Sequence, residues 1–168
     1  MRPFYLLDTN VISELAKPKP DKKVERLFFE KLNRSAVPSV VWGECLYGLK
    51  RIPHSKRRDN LTEFYMNRVL DSIPFIPFDE HAAAIYSDIK ARLLSIGKPA
   101  PEMDMMIASI AIANNMILIT RNVSDFSGIQ AISALMLENW FTTPKPLLAD
   151  SSRIPPEKSA WAEAVVEK

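Results

Sequence analysis

Phe4-Tyr5-Leu6-Leu7-Asp8-Thr9-Asn10 is the stretch of sequence on which the fold prediction depends. A short apolar run that ends abruptly at polar residues is typical of a buried strand followed by a turn. The run 116–120 predicts a second such strand, and a turn sequence that ends at Asp125 comes after it. In open parallel sheets, ligands bind at the carboxyl ends of the strands. Asp8 and Asp125 therefore lie where a functional site is expected.

The rest of the chain alternates strand candidates with helices. Further strands are predicted at 36–37, 75–78 and 135–137. Helices are predicted over 11–17, 22–32, 40–49, from the bend at 50–58 to about residue 70, and over 80–96 and 101–115. Alternating strands and helices indicate the α/β class, with a mostly parallel sheet that has helices on both faces.

The 168-residue length is that of one domain. The composition changes near Pro144, where four prolines punctuate a polar stretch that ends in a possible short helix. We therefore expect a folded domain over 1–143 and a tail over 144–168 that lies outside the core and is partly disordered or a short helix.

Composition excludes several kinds of chemistry. The single cysteine, Cys45, cannot form an internal disulfide and fits a reducing compartment. One cysteine and two histidines, His54 and His81, cannot form a structural zinc site, and the four scattered glycines form no phosphate-binding loop. No stretch approaches the ~20 apolar residues that span a bilayer. We expect a cytoplasmic protein whose chemistry depends on acidic residues.

Asp104 is the most informative acid. From Met103 to Ala113 the only other polar residue is Ser109, so the predicted helix is apolar all round and buried. A carboxylate at the start of a buried helix needs a partner or a metal ion, although a first-turn Asp also stabilises a helix dipole.

The other three acids are ambiguous when taken singly. Asp8 is as good a helix N-cap as a site residue, because Thr9 and Asn10 could cap the same helix. Glu44 lies at the border of the apolar face of the predicted 40–49 helix, and taken alone it is best interpreted as an ordinary solvated residue. Asp125 by itself favours a turn.

The prediction comes from the four acids as a set. If the sheet brings them together, each like-charged pair at ~4 Å is destabilised by about 4 kcal/mol at an effective dielectric constant near 20. A hard divalent cation offsets that repulsion, and Mg²⁺ prefers carboxylates, waters and phosphate oxygens. Carboxylates with such an ion are sufficient for phosphodiester hydrolysis.

The chain resembles the PIN-domain ribonucleases, and among them the VapC-type toxins of prokaryotic toxin–antitoxin pairs, including the FitB-like branch. The resemblance covers roughly residues 3–141 and depends on the order and spacing of five short motifs. These are Leu6-Leu7-Asp8-Thr9-Asn10-Val11-Ile12-Ser13-Glu14, Val41-Trp42-Gly43-Glu44-Cys45-Leu46-Tyr47-Gly48-Leu49, Phe78-Asp79-Glu80-His81-Ala82-Ala83-Ala84-Ile85-Tyr86, Met103-Asp104-Met105-Met106-Ile107-Ala108 and Leu118-Ile119-Thr120-Arg121-Asn122.

The resemblance implies a three-layer α/β/α sandwich, a homodimer, a small antitoxin that blocks the site, and RNA cleavage with Mg²⁺ or Mn²⁺. By position, Asp8, Glu44 and Asp104 match the family's acidic metal-site residues. The FitB-like branch has an Asp where this chain has Asn122, so the fourth role is assigned to Asp125. Asn122 and Thr9 are then neutral helpers.

Two further features have alternative interpretations. The basic bend is equally consistent with RNA contact and with a solvated turn between helices. Its cations are Lys50, Arg51, Lys56, Arg57 and Arg58. Trp140 is expected at the sheet edge, with base stacking as the alternative.

The sequence therefore predicts a toxin endoribonuclease. One alternative is a PIN-like module that binds nucleic acid or protein without cleaving it, which Asn122 favours. Another is a phosphatase of the haloacid-dehalogenase type or a receiver domain. The phosphatases require Asp-x-Asp where this chain has Asp8-Thr9-Asn10.

Overall fold

A computed structural model describes residues 4–142 of the chain. The predicted tail at 144–168 lies outside the described residues and stays a prediction. Within them, a five-stranded sheet in which every pair of neighbours is parallel has the strand order β3-β2-β1-β4-β5. The strands are β1 (Tyr5–Leu7), β2 (Ser35–Pro38), β3 (Phe75–Ile76), β4 (Ile117–Ile119) and β5 (Met136–Glu138).

Seven α-helices of the described chain flank this sheet. They are α1 (Thr9–Leu15), α2 (Lys22–Lys31), α3 (Ser39–Arg51), α4 (Lys56–Phe64), α5 (Glu80–Ser95), α6 (Glu102–Ala113) and α7 (Ser127–Ile132). A 3₁₀ turn at Leu32–Arg34 leads into β2, and a π-helical segment at Tyr65–Leu70 extends α4. The predicted α/β/α sandwich is confirmed.

The strand order reverses beside β1. The chain passes from β1 to β2 and β3 on one side, and then returns to place β4 against the other side of β1. Leu6 pairs with Ala36 of β2 and with Leu118 of β4. In such sheets, a crevice opens beyond the carboxyl ends of the strands where the order reverses. The residues that follow β1 and β4 therefore line that crevice.

The core consists of apolar side chains from the central strands and the helices packed on them. Leu6, Leu118 and Ile107 are almost fully buried, and Trp140 is 1% exposed. Burial of Trp140 excludes the alternative that its ring stacks on bases. Its indole Nε1 donates to Glu138 Oε1 at 3.0 Å, and its ring contacts Tyr5 edge-on at a centroid distance of 5.9 Å.

Two local predictions differ from the structure, and one helix was not predicted. Helix α1 begins two residues earlier than expected, because Asp8 caps it. The basic bend is largely helical, with a short turn between the end of α3 and the start of α4. The six-residue α7 was not predicted. In the described part of the chain, no helix combines the length and apolar character that crossing a membrane requires.

Candidate active site

An open cleft of about 440 Å³ lies beyond the ends of β1 and β4, at the reversal of strand order. It contains three of the four predicted acids, which reach it from three different elements. Asp8 follows β1, Glu44 belongs to α3, and Asp104 lies in the first turn of α6. The other lining residues are Thr9, Asn10, Ser13, Glu14, Lys17, Met103, Ile107, Arg121 and Asn122.

Asp8 is the most buried of these acids, at 7% exposure. One carboxylate oxygen, Oδ1, accepts from the Thr9 amide at 2.6 Å, which makes Asp8 the N-cap of α1. The other, Oδ2, accepts from Asn10 Nδ2 at 2.6 Å and from the Thr120 hydroxyl at 2.8 Å. The N-cap and site interpretations are thus compatible. Burial raises the pKa of Asp8 in spite of these three hydrogen bonds, and the charge of Asp125 adds to the rise.

Asp104 is partly buried, and its helix has the all-round burial that the sequence predicted. Burial raises the pKa of the Asp104 carboxyl, and the negative charges of Asp8 and Asp125 raise it further. The carboxylates of Asp8, Asp104 and Asp125 therefore share one electrostatic environment. A cation is favoured there because it offsets both the desolvation and the mutual repulsion.

Glu44 and Asp125 are both exposed, but they differ in their relation to the cleft. Glu44 lines the cleft, whereas Asp125 is not among the lining residues. Asp125 lies in the turn before α7, and its carboxylate accepts from the Ser124 hydroxyl at 3.4 Å. Asn122 is on the lining instead, three residues earlier. The Asn122 amide donates to Thr120 Oγ1 at 3.0 Å, so the loop after β4 is tied to the hydroxyl that holds Asp8.

The oxygen-rich lining fits a hard divalent cation better than a soft one. Within residues 4–142, no three Asp, Glu, His or Cys side chains are already grouped as a metal site. Mg²⁺ does not need such a cage, because it takes one or two carboxylates together with waters and phosphate oxygens. The ion pairs of the described residues involve none of Asp8, Glu44, Asp104 and Asp125.

Sequence reasoning missed a charged group on the cleft wall. Glu14 is 5% exposed and forms ion pairs with Lys17 and Arg121. Thr120, which is fully buried, was also not singled out. One signal for Glu14 was available, because it lies four residues after Asn10 and so shares its face of a helix. Its pairing with Arg121 spans 107 positions and has no local signature.

The basic bend divides into two groups of side chains. A second groove of about 730 Å³ adjoins the cleft and shares Ser13 and Lys17 with it. Lys56 and Arg57 line this groove, whereas the other three cations of the bend do not. Arg51 lies over the ring of Tyr47, and Arg58 Nη1 donates to the Ile52 carbonyl at 3.4 Å.

The remaining titratable candidates have no place on the cleft lining. His54 and His81 are exposed and neither of them lines the cleft. Cys45 is buried beneath it, and burial raises the pKa of its thiol to about 11, with the charges of Glu44 and Asp8 adding to the rise. An uncharged thiol at neutral pH is a poor nucleophile and a poor metal ligand. Among the titratable side chains considered for this site, the acids are therefore the candidates for the chemistry.

Fold and site together define a PIN domain. Residues 5–130 match the PIN domain family, and the chain belongs to that family. The resemblance seen in its motifs is confirmed.

Within the family, its relatives include VapC and FitB proteins. The VapC ribonuclease Y4jK of Sinorhizobium fredii is 35% identical over 129 residues, which cover 73% of this chain and 90% of that protein. Toxin FitB of Neisseria gonorrhoeae is 32% identical over 129 residues, which cover 73% of this chain and 91% of FitB.

Solved structures agree with these relatives. The crystal structure of FitAcB from Neisseria gonorrhoeae superimposes with a TM-score of 0.74 at 26% identity, covering 83% of this chain and 100% of that one. The structure of VapBC2 from Rickettsia felis, bound to a DNA fragment of its promoter, superimposes with a TM-score of 0.67 at 27% identity. The match covers 83% of this chain and 99% of that one.

Proposed function

We propose that this protein is the toxin of a toxin–antitoxin pair and acts as an endoribonuclease that hydrolyses RNA phosphodiester bonds with Mg²⁺ or Mn²⁺. The observation that supports this most strongly is the cleft at the reversal of strand order. Asp8, Glu44 and Asp104 reach that cleft from three elements, and none of them is neutralised by an ion pair of the described chain. The ribonuclease relatives supply the reaction class.

Asp8 and Asp104 are the carboxylates that would bind the ion directly. A bound divalent ion supplies Lewis-acid neutralisation of the phosphate and a more acidic water. Glu44, an exposed residue of the cleft lining, would complete the ligand shell or orient the attacking water. Asp125 would hold an outer water or a second ion, with Asn122 as a neutral helper.

The chain's own hydrogen bonds prepare Asp8 for this role. The Thr9 amide donates to one carboxylate oxygen, and the side chains of Asn10 and Thr120 donate to the other. The Asp8 side chain therefore has one orientation before any ligand binds. Fixed orientation of a ligating carboxylate by its neighbours is typical of metal sites. Thr9, predicted as a helper, therefore acts through its backbone amide.

RNA that occupies the cleft can continue into the adjoining groove. Lys17 lines both, and Lys56 and Arg57 line the far part. We therefore assign RNA contact within the basic bend to Lys56 and Arg57. Lys50, Arg51 and Arg58, which do not line the groove, are left as solvated helix-end residues.

The similar structures suggest one partner. FitAcB and VapBC2 are toxin–antitoxin complexes, and we propose a cognate antitoxin for this chain. The homodimer is proposed on the family resemblance alone. A cytoplasmic location agrees with the free thiol of Cys45 and with an RNA substrate.

The test is cleavage of purified transfer, ribosomal and messenger RNA by the full chain. We expect cleavage with Mg²⁺ or Mn²⁺, loss of cleavage with EDTA, and loss in Asp8→Asn and Asp104→Asn. Asp88→Asn is the matched control, since Asp88 is exposed on α5 and does not line the cleft. Cleavage that persists in EDTA or in Asp8→Asn refutes the proposal. RNA that is bound but never cut identifies a binding module instead.

A further inference from the structure

The cleft must accept an anionic substrate although its lining contains several carboxylates. Of the described residues that line it, two are cationic, Lys17 and Arg121. A phosphodiester that approaches Asp8 and Asp104 is repelled until cations offset the negative charge. Protein cations fixed at the edge of the cleft would lower this cost for the phosphates next to the one that is cut.

Arg121 is fixed at four points. Its backbone amide donates to Asn10 Oδ1 at 2.9 Å, and its carbonyl accepts from Asn139 Nδ2 at 3.1 Å. Its guanidinium pairs with Glu14 and lies 4.0 Å from the centre of the Phe141 ring. The side chain is nevertheless 44% exposed, so guanidinium hydrogens remain available to a ligand.

Glu14 joins both cations to the cleft wall. Its side chain is 6% exposed, and Oε2 pairs with Lys17 Nζ at 2.7 Å and with Arg121. Its other oxygen, Oε1, accepts from the Asp21 amide at 3.0 Å. These hydrogen bonds hold the pKa of Glu14 below its usual range, with Lys17 as the largest contributor. With its charge matched by two cations, Glu14 is a poor ligand for a further cation.

We propose that Arg121 and Lys17 bind phosphate oxygens of the RNA, and that Glu14 is a positioning residue that holds both cations at the cleft. The inference rests on the proposed ribonuclease function and adds the groups that bind the substrate backbone. Lys17 also lines the adjoining groove, so the pair sets the direction in which the RNA leaves the acids. A planar guanidinium binds phosphate in a bidentate manner, which an ammonium group cannot do.

The test is RNA binding in Asp104→Asn, which separates binding from cleavage. The probe is an unstructured RNA of about 4 nucleotides, short enough to occupy the cleft alone. Arg121→Ala is expected to weaken binding at least tenfold, since the loss of even one charge-assisted hydrogen bond of a bidentate contact has about that effect. The slope of log affinity against log salt should fall by about 0.7 for the lost phosphate contact. Arg121→Lys should restore the slope and only part of the affinity.

The matched control is Arg26→Ala. Arg26 pairs with Glu30 at 3.1 Å on the surface of α2, and neither residue lines the cleft. We expect Arg26→Ala to leave affinity and salt slope unchanged. If Arg121→Ala and Lys17→Ala behave like this control, the inference is wrong even when the wild-type protein cleaves RNA.

The positioning role of Glu14 is tested by a double-mutant cycle. Glu14→Gln should weaken binding in the otherwise unchanged chain and add nothing when Arg121 and Lys17 are both alanine. If Glu14→Gln lowers only the melting temperature, its role is structural and the positioning claim fails. Should Glu14→Gln not fold, the variants of the two exposed cations decide. Absence of wild-type cleavage refutes the ribonuclease function separately, because binding is measured without it.

Discussion

Asp104 is a residue whose charge costs stability in the folded protein. Its pKa is raised by burial and by the charges of Asp8 and Asp125, so the folded state binds the proton more tightly than the unfolded chain does. The cost is absent below the ordinary carboxyl pKa, grows as pH rises towards the raised pKa, and is complete above it. Asp104→Asn should therefore increase the free energy of unfolding by about 0.5 kcal/mol at neutral pH without metal, a small gain because water screens the partly exposed carboxylate.

Urea unfolding at several pH values measures this effect. The gain from Asp104→Asn should shrink as the pH falls towards the ordinary carboxyl range, since both side chains are then uncharged. Asp88→Asn, at an exposed position, should show no such gain. A gain of equal size at all pH values would mean that charge is not the cause.

Thr120 is a buried hydroxyl that connects three parts of the site. It donates to Asp8, and it accepts from Asn10 Nδ2 at 3.0 Å and from the Asn122 amide at 3.0 Å. Thr120→Val keeps the shape and removes the hydrogen bond that each of these partners makes with the hydroxyl, which should cost about 1–3 kcal/mol. Thermal unfolding and RNA cleavage measure the loss, and Thr120→Ser should retain most of both. Equal behaviour of the two variants would contradict a role for the hydroxyl.

For individual residues, the sequence could identify the acids of the site but not the side chains that form hydrogen bonds with them. Asp8 and Asp104 stand out because each interrupts or begins an apolar run, and the structure brings both to one cleft together with Glu44. Their partners come from across the sheet. Thr120 is 112 positions from Asp8, and such a contact exists only after β1 and β4 have paired.

Among the elements, the long helices were the most predictable. Helix α5 was expected over 80–96 and spans Glu80–Ser95, since it has an Asp79 cap and ends before Gly97. Short elements have too few residues for a period to be read, which is why α7 was missed. Hydrophobic periodicity and helix-capping residues did not predict the π-helical turn at Tyr65–Leu70.

Gly97 gives a prediction at the end of α5. Its φ of +67° lies in the left-handed region, where a side chain is strained although no atom is within 4 Å of an added Cβ. Gly97→Ala should lower the free energy of unfolding by about 1 kcal/mol. Gly43→Ala, in helix α3 with equally open surroundings, should raise it by about 0.5–1 kcal/mol. Denaturant unfolding measures both, and changes of the same sign would contradict the argument.

For the whole molecule, the strand order determines where chemistry is possible. The reversal beside β1 brings together the ends of two strands that are over 100 residues apart in sequence. Helices α3 and α6 then bring Glu44 and Asp104 to the same cleft as Asp8. Alternation of strands and helices predicts the parallel sheet, but not which strands become neighbours. That order follows from packing of the complete chain.

Metal binding should therefore stabilise the whole fold, because the carboxylates converge only in the folded state. An ion at a hundred times its dissociation constant, with no affinity for the unfolded chain, adds about 2.7 kcal/mol. We expect Mg²⁺ or Mn²⁺ to raise the melting temperature in proportion to the logarithm of its concentration, and EDTA to reverse the rise. Asp8→Asn and Asp104→Asn should abolish the response, while Asp88→Asn keeps it. A response that survives in both cleft variants would place the ion elsewhere on the protein.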